Sequence, residues 1–347
     1  DGVVEVVISL KVAVVILTGL IVVQQACWLG RCSLGYIVFI TGLAANFYYL
    51  FQITHDEWLL LVVVDLVWLG IVGLWVSPES TVVAVLWGAF GGFAALCNPI
   101  AGAVWAVLTT LRWFPKGCLR NFKTGASART LAGPLIVAAL CSIAVIAPWT
   151  VRNRLVLGRW MPIKSNGLYE LWQSQCVDDD GILDVNTFAD HPWGRAGEQR
   201  RKYLEQGEVQ FTAGKWPEVQ QSVVRRPWRL LERIGNRLLA ACVDCMAFDA
   251  VDEERVWPRR FERAVFPLPL LGFLVIFLLR KRPLERGVAA AMWLYALYLV
   301  PYILISYYDR YAAPLVGMKM LLVLYGVDTL MRFAPKRRPA PPCGSSS

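Results

Sequence analysis

"THDEWLLLVVVDLVWLGIVGLWV", residues 54–76, decides the class of this chain. From Trp58 to Val76 the only charge is Asp65. An α-helix needs about 20 such residues to cross the hydrocarbon core of a bilayer. The run therefore reads as a membrane span, entered through a polar turn that holds Thr54, His55, Asp56 and Glu57.

Working outward, similar runs recur over 6–23, 34–51, 82–97, 100–111, 131–148, 265–279, 288–306 and 312–331, nine spans in all with the first. The run 100–111 is short, and Asn98-Pro99 separates it from its neighbour. Proline removes a backbone donor and clashes with the preceding turn, so two helices joined by a tight turn are expected, with a re-entrant pair as the alternative. Composition agrees. Hydrophobic residues make up 56% of the 347, mean hydropathy is +0.48, and the 15 Trp exceed what one core needs but suit interfacial belts. The expected fold is an all-α polytopic membrane protein with about nine transmembrane helices and a mainly helical extracytoplasmic region. Asp65 is expensive inside a span and reads either as a hydrogen bond to a neighbouring helix or as a functional group. The chain starts at Asp1 without Met or a basic leader, and reads as a fragment or processed chain.

Basic residues set the orientation. Arg112, Lys116, Arg120, Lys123 and Arg129 form one block, Arg280, Lys281, Arg282 and Arg286 a second, and Arg332, Lys336, Arg337 and Arg338 a third. Cytoplasmic loops carry such excesses, and nine alternating spans put all three blocks on that side. These residues outnumber the whole net charge of +9, so the basic balance reads as topology, and nucleic acid is excluded as a partner. The same parity puts 52–58, the turn at Asn98, residues 152–263 and "SYYDRYAAPL" (306–315) outside. The expected organisation is 1–151 as six spans, 152–263 as the extracytoplasmic region, 264–333 as three spans, and 334–347 as a Pro/Ser-rich cytoplasmic tail. The tyrosines around Arg310 then read either as an aromatic belt with a snorkelling arginine or as part of a site.

The outer region opens with short apolar stretches over 148–175 that suggest extended or turn structure, and turns helical from Glu198 to Val243. "RRPWRLLERIGNRLLAAC" (225–242) is basic and amphipathic and reads as a helix leading along the membrane surface. Asp178, Asp179, Asp180 and Asp184 lack the bidentate Glu of a calcium loop. Cys242 and Cys245 form a C-x-x-C, but the chain has two His, too few ligands for a zinc site. A disulfide among Cys176, Cys242 and Cys245 is permitted but not indicated. Phosphate-cradling glycine loops and hydrolase motifs are absent, so any chemistry uses a substrate already at the membrane.

"APWTVRNRLVLGRWMPIKSNGLYELW" (147–172) resembles a segment of the bacterial GT-C glycosyltransferases related to family 39, the protein mannosyltransferase and lipid A aminoarabinose transferase group. Pro148, Trp149, Arg152, Asn153, Gly158, Pro162, Ile163, Asn166, Gly167, Leu171 and Trp172 carry the likeness, with Asn166 and Gly167 adjacent where the family spaces them by one. "GAFGGFAALCNPIAG" (88–102), "FYYLFQITHDEWLLL" (47–61) and "YDRYAAPL" (308–315) are similar to three further family segments, in order, although Asn98 stands where a basic residue is usual. The resemblance implies a multi-pass enzyme of the bacterial inner membrane. It would move a sugar from a polyprenyl phosphate to a lipid, glycan or protein acceptor on the outer face. It implies Asp56 and Glu57 as catalytic carboxylates, and Arg152, Asn153, Lys164, Asn166, Arg310 and Tyr311 as substrate-binding residues. The family's principal catalytic Asp is expected upstream of Asp1. No cofactor is expected, and a divalent metal stays open without assigned ligands. The rival readings are a transporter or flippase, with Asp65 and the Asn98-Pro99 break on its pathway, and a non-catalytic membrane scaffold.

Overall fold

The computed structural model describes residues 2–46, 57–72, 80–113, 128–164, 166–177, 179–184, 187, 191–192, 197–243, 256–279 and 284–333. Asp56, most of the first two basic blocks and the 334–347 tail lie outside these residues.

The helices are α1 (Gly2–Trp28), α2 (Cys32–Ala45), α3 (Glu57–Val72), α4 (Thr81–Cys97), α5 (Pro99–Trp113), α6 (Ala128–Leu157) and α7 (Gly167–Trp172), then α8 (Glu198–Ala213), α9 (Trp216–Arg225), α10 (Pro227–Cys242), α11 (Val256–Val265), α12 (Leu268–Leu279), α13 (Arg286–Leu304) and α14 (Val316–Phe333). A π-helical turn follows α7 at Gln173–Val177, and a 3-10 helix, Asp309–Leu315, precedes α14. Among the described residues strand pairing is limited to one bridge between Ile182 and Tyr307.

Five segments are long and apolar enough to cross a membrane: Val7–Trp28, Ala132–Leu157, Arg260–Leu279, Arg286–Leu304 and Arg310–Phe333. Helices α2, α4 and α5 are apolar but shorter. Large apolar side chains such as Ile8, Leu20, Ile136, Leu140, Phe277 and Leu278 point outward. Continuous outward apolar surface on helices whose backbone groups bond internally is the build of a membrane protein. The last candidate span is the centre of the bundle, with 67% of it buried, whereas Ala132–Leu157 is peripheral at 11%.

Polar contacts tie the bundle at its two ends. At one end Tyr325 donates to Gln25 Oε1 (2.9 Å), Trp68 Nε1 donates to Gly287 O (3.1 Å), and Arg31 meets Asp328 (3.5 Å). At the other, Asn98 Nδ2 donates to the Tyr302 hydroxyl (3.1 Å) and Arg310 meets Glu57 (3.5 Å). The starts of α3 and α5 thus meet the ends of α4 and α13, as alternating helices require. Asn98 joins α4 to α5 as a tight turn, its Oδ1 accepting from the Ile100 amide at 2.8 Å.

Asp65 is fully buried and accepts a hydrogen bond from Thr18 Oγ1 at 2.6 Å. Gly317 of α14 packs against the same carboxylate, and a methyl group there would meet Asp65 Oδ1 at 2.4 Å. The carboxylate is held between α1, α3 and α14. Gly317→Ala is expected to destabilise the bundle by about 1–3 kcal/mol, the usual effect of overpacking. Thermal unfolding of the purified protein checks this; an unchanged midpoint would mean that the interface yields.

Two expectations are corrected. The stretch after Pro148 is helical, not extended: α6 runs on through Pro148 to Leu157. Proline removes one backbone bond from the ladder, the one that would end on the Ala144 carbonyl, and the helix runs on through it. The helix stops at Gly158, whose φ of +72° suits glycine and whose amide donates to Arg154 O. Second, the tyrosines near Arg310 are no simple aromatic belt. Tyr307 is fully buried, Tyr298 and Tyr302 are buried, and Tyr302 stacks on Tyr311 at 4.5 Å. They pack inward because α13 ends here and the 3-10 helix folds back over it.

Candidate functional site

The end of α13 organises the site. A helix C-terminus leaves its last carbonyls without intrahelical partners. Here Arg237 Nε donates to Ile303 O (2.7 Å), Arg237 Nη2 to Leu304 O (3.2 Å) and Ser174 Oγ to Ile305 O (2.6 Å). The Leu183 amide donates to Tyr307 O at 2.9 Å, and Arg233 donates to Gln175 O. The π turn, residues 179–184 and α10 are thereby fixed to the end of the bundle. A second small core of Tyr169, Trp172, Phe211 and Val219 holds α7, α8 and α9 together.

Between this layer and the bundle lies a cavity of about 420 Å³. It is lined by Arg152 and Asn153 from the last turns of α6, Lys164 and Asn166 from the loop that follows, Glu170 from α7, and Arg310 and Tyr311 from the 3-10 helix. His191, Glu208 and Phe211 close the far wall. Helix α8 breaks at Gly207, with φ of +73°, so the turn from Glu208 to Thr212 faces the cavity.

The loop is laid back along α6. Asn153 is buried and its Nδ2 donates to Met161 O at 2.9 Å, while Trp149 Nε1 donates to Ile163 O at 3.1 Å. This carries Lys164 from beyond the helix end back over the cavity. Asn153 also accepts from Arg152 Nη1 (3.0 Å), and the Arg152 guanidinium lies 4.9 Å from the Trp149 ring centre. Asn166 Nδ2 donates to Glu170 Oε1 at 2.6 Å.

The six residues expected to bind substrate therefore line one cavity, although Arg152 and Arg310 are far apart in sequence. Glu57 lies behind Arg310, 3.5 Å from its Nε, and is not part of the cavity wall. The Arg310 guanidinium also stands over Tyr308 at 4.9 Å and Tyr311 at 5.9 Å. Neither Glu57 Oε2 nor Arg310 Nε completes a hydrogen bond, so the pair is electrostatic contact with bonding capacity to spare. Asp56 lies outside the described residues.

Glu170 is the residue that sequence reasoning missed. It sits in "GLYELW" (167–172), where the glycine and the apolar residues drew attention. Its carboxyl accepts from Asn166 and, at 3.1 Å, from Ser306 Oγ. Burial pushes its pKa above the ordinary Glu value, against the opposing pull of Ser306, Lys164 and Arg310. The signal available was a lone acid inside an otherwise apolar motif. His191 stands edge-on to Tyr169 at 5.5 Å, and burial, then Arg310, hold its pKa below the ordinary value, so it is neutral at pH 7.

No family model, curated protein or solved structure matches this chain.

The cavity brings together three cationic side chains and two acidic ones. Arg152, Lys164 and Arg310 line the cavity together with Glu170 and Glu208. Arginine binds phosphate oxygens bidentately, and lysine adds a mobile point charge. Among the described residues, no three His, Cys, Asp or Glu side chains gather to hold a metal.

Proposed function

We propose that this chain is a membrane glycosyltransferase that moves a sugar from a polyprenyl-phosphate donor to an acceptor on the extracytoplasmic face of the bacterial plasma membrane. The observation that carries the reading is the convergence of Arg152, Lys164 and Arg310, from three separate elements, around the half-buried Glu170 at one end of an apolar bundle. A lipid-linked phosphate reaches such a cavity from the bilayer, with its chain among the helices and its headgroup between the cations. The described helices belong to a set of nine crossings, and the cavity end faces outward.

In the reaction the bond between the sugar's anomeric carbon and the phosphate oxygen breaks. The bond to the acceptor hydroxyl oxygen forms. Negative charge gathers on the departing phosphate, where Arg152, Lys164 and Arg310 meet it. The acceptor's proton passes to Glu170, the carboxylate on the cavity wall. Glu57 holds Arg310 in place from behind and acts as a positioning residue. The acceptor is a lipid, a glycan or a protein.

Arg310 supplies the test. Loss of one charge-assisted hydrogen bond is worth about 1.5–3 kcal/mol, roughly ten- to a hundredfold in affinity. Arg310→Ala is expected to weaken polyprenyl-phosphate binding by that factor, measured with the full-length protein in vesicles. Arg310→Lys keeps the charge and loses the planar fork, so its affinity should fall between the two. If Lys and Ala both bind like the wild type, Arg310 does not hold the phosphate.

A further inference from the structure

Helix α10 carries its polarity inside out. Two of its three arginines face the protein: Arg233 is 2% exposed and Arg237 0%. Both are occupied by backbone carbonyls, Arg233 by Gln175 O and Arg237 by Ile303 O, Leu304 O and Gly181 O. The large apolar side chains point the other way. Trp228 is 78% exposed, Leu231 54%, Leu238 48% and Leu239 55%. At 100° per residue these four fall on one side of the helix, away from both arginines, with exposed Glu232 at the edge of that side. In water that side would stay hydrated at a cost, so it needs an apolar medium.

Two observations name the medium. First, α10 runs down the side of α13, which is long and apolar enough to cross a membrane. Arg237 meets α13 at Ile303, and the Cys242 thiol meets the hydroxyl of Tyr295. Those α13 contacts are eight residues apart, about 12 Å along a helix axis. The leucines of α10 therefore continue the outward apolar surface of the bundle. Second, the chain entering α10 is cationic: Arg225, which ends α9, and Arg226 are exposed, and Arg229 in the first turn of α10 reaches Asp179 at 2.7 Å. Arginines above an apolar side match the phosphate layer above the acyl chains.

We infer that α10 is immersed obliquely in the leaflet on the cavity side of the bundle, with Trp228, Leu231, Leu238 and Leu239 against acyl chains and Arg225 and Arg226 at the phosphate layer. Its partner is the lipid bilayer itself. The helix anchors the 197–243 segment while its buried Arg237 caps α13 and its buried Arg233 holds the π turn. This is more than a helix resting on the surface, because its C-terminal end lies beside the middle of a span. The inference stands independently of the enzymatic proposal.

The test is photo-crosslinking of the full chain in phosphatidylcholine–phosphatidylglycerol vesicles. p-Benzoylphenylalanine is placed singly at Trp228, Leu231 and Leu239, each a large apolar residue for another. Glu205 of α8, with its side chain 64% exposed, is the aqueous control. Phospholipid adducts by mass spectrometry at all three sites, and none at Glu205, are expected. Three sites without lipid adducts would overturn the inference, as would a dimer-sized product from them, which would make the occupant a second copy. Correct folding is monitored separately by the unfolding midpoint of each variant, so a negative site counts only in a folded protein.

Discussion

Arg237→Ala is expected to remove about 3–6 kcal/mol of stability, since it leaves several buried carbonyls without a donor at about 1–3 kcal/mol each. The guanidinium is fully buried and bridges Ile303 O, Leu304 O and Gly181 O. It also brings positive charge to the C-terminus of α13, where a helix favours a cation. Lysine cannot replace it, because one ammonium cannot span carbonyls on two elements in the plane of a guanidinium. Arg237→Lys should therefore recover little. The measurement is the thermal midpoint in detergent together with protease sensitivity of residues 197–243. A loss below about 1 kcal/mol would mean that water replaces Arg237 at these carbonyls, within the range of a single ordinary hydrogen bond.

Glu170→Gln is expected to lower the rate of sugar transfer by about a hundred- to ten-thousandfold, the range of general acid–base catalysis. The amide keeps the shape and can still bond Asn166 and Ser306, so folding should persist. The wild-type rate should rise with pH as Glu170 loses its proton. Burial raises its pKa above the ordinary value of 4.5, so the acidic limb should lie above that value. The base must be ionised to accept a proton, so activity is lost as pH falls through the limb. Glu170→Gln should flatten the limb as well as lower the rate. A variant that is slower but keeps the same limb would make Glu170 a structural residue and place the base elsewhere.

The apolar character of the bundle was legible because apolar runs near the length of a bilayer leave little choice. The course of α6 through Pro148 was not legible. Some helices end at a proline and others run on through it, and Pro134 is carried through the same helix as Pro148. The inward packing of Tyr302 and Tyr307 was hidden for a similar reason. Tyrosine beside arginine suits both an interfacial belt and a buried junction, and the fold-back of the 3-10 helix decides between them. Arg152, Lys164 and Arg310 were chosen through resemblance, and their shared cavity depends on Asn153 and Trp149 pinning the loop to α6. Glu170 escaped notice because its importance comes from burial, which sequence spacing does not record. The reverse polarity of α10 was half visible: its pattern was amphipathic, but which side faced the protein depended on open carbonyls at the end of α13.

The central claim is that the cavity between Arg152, Lys164, Glu170 and Arg310 holds a polyprenyl phosphate. The most direct measurement is photolabelling of the full-length protein in vesicles with a diazirine-bearing polyprenyl phosphate, followed by mapping of the adducts. The account expects label on residues 149–170 and 308–311, displaced by excess unlabelled polyprenyl phosphate and lost when Arg152, Lys164 and Arg310 are replaced together. Label spread over the lipid-facing helices and indifferent to competitor and to those substitutions would contradict it.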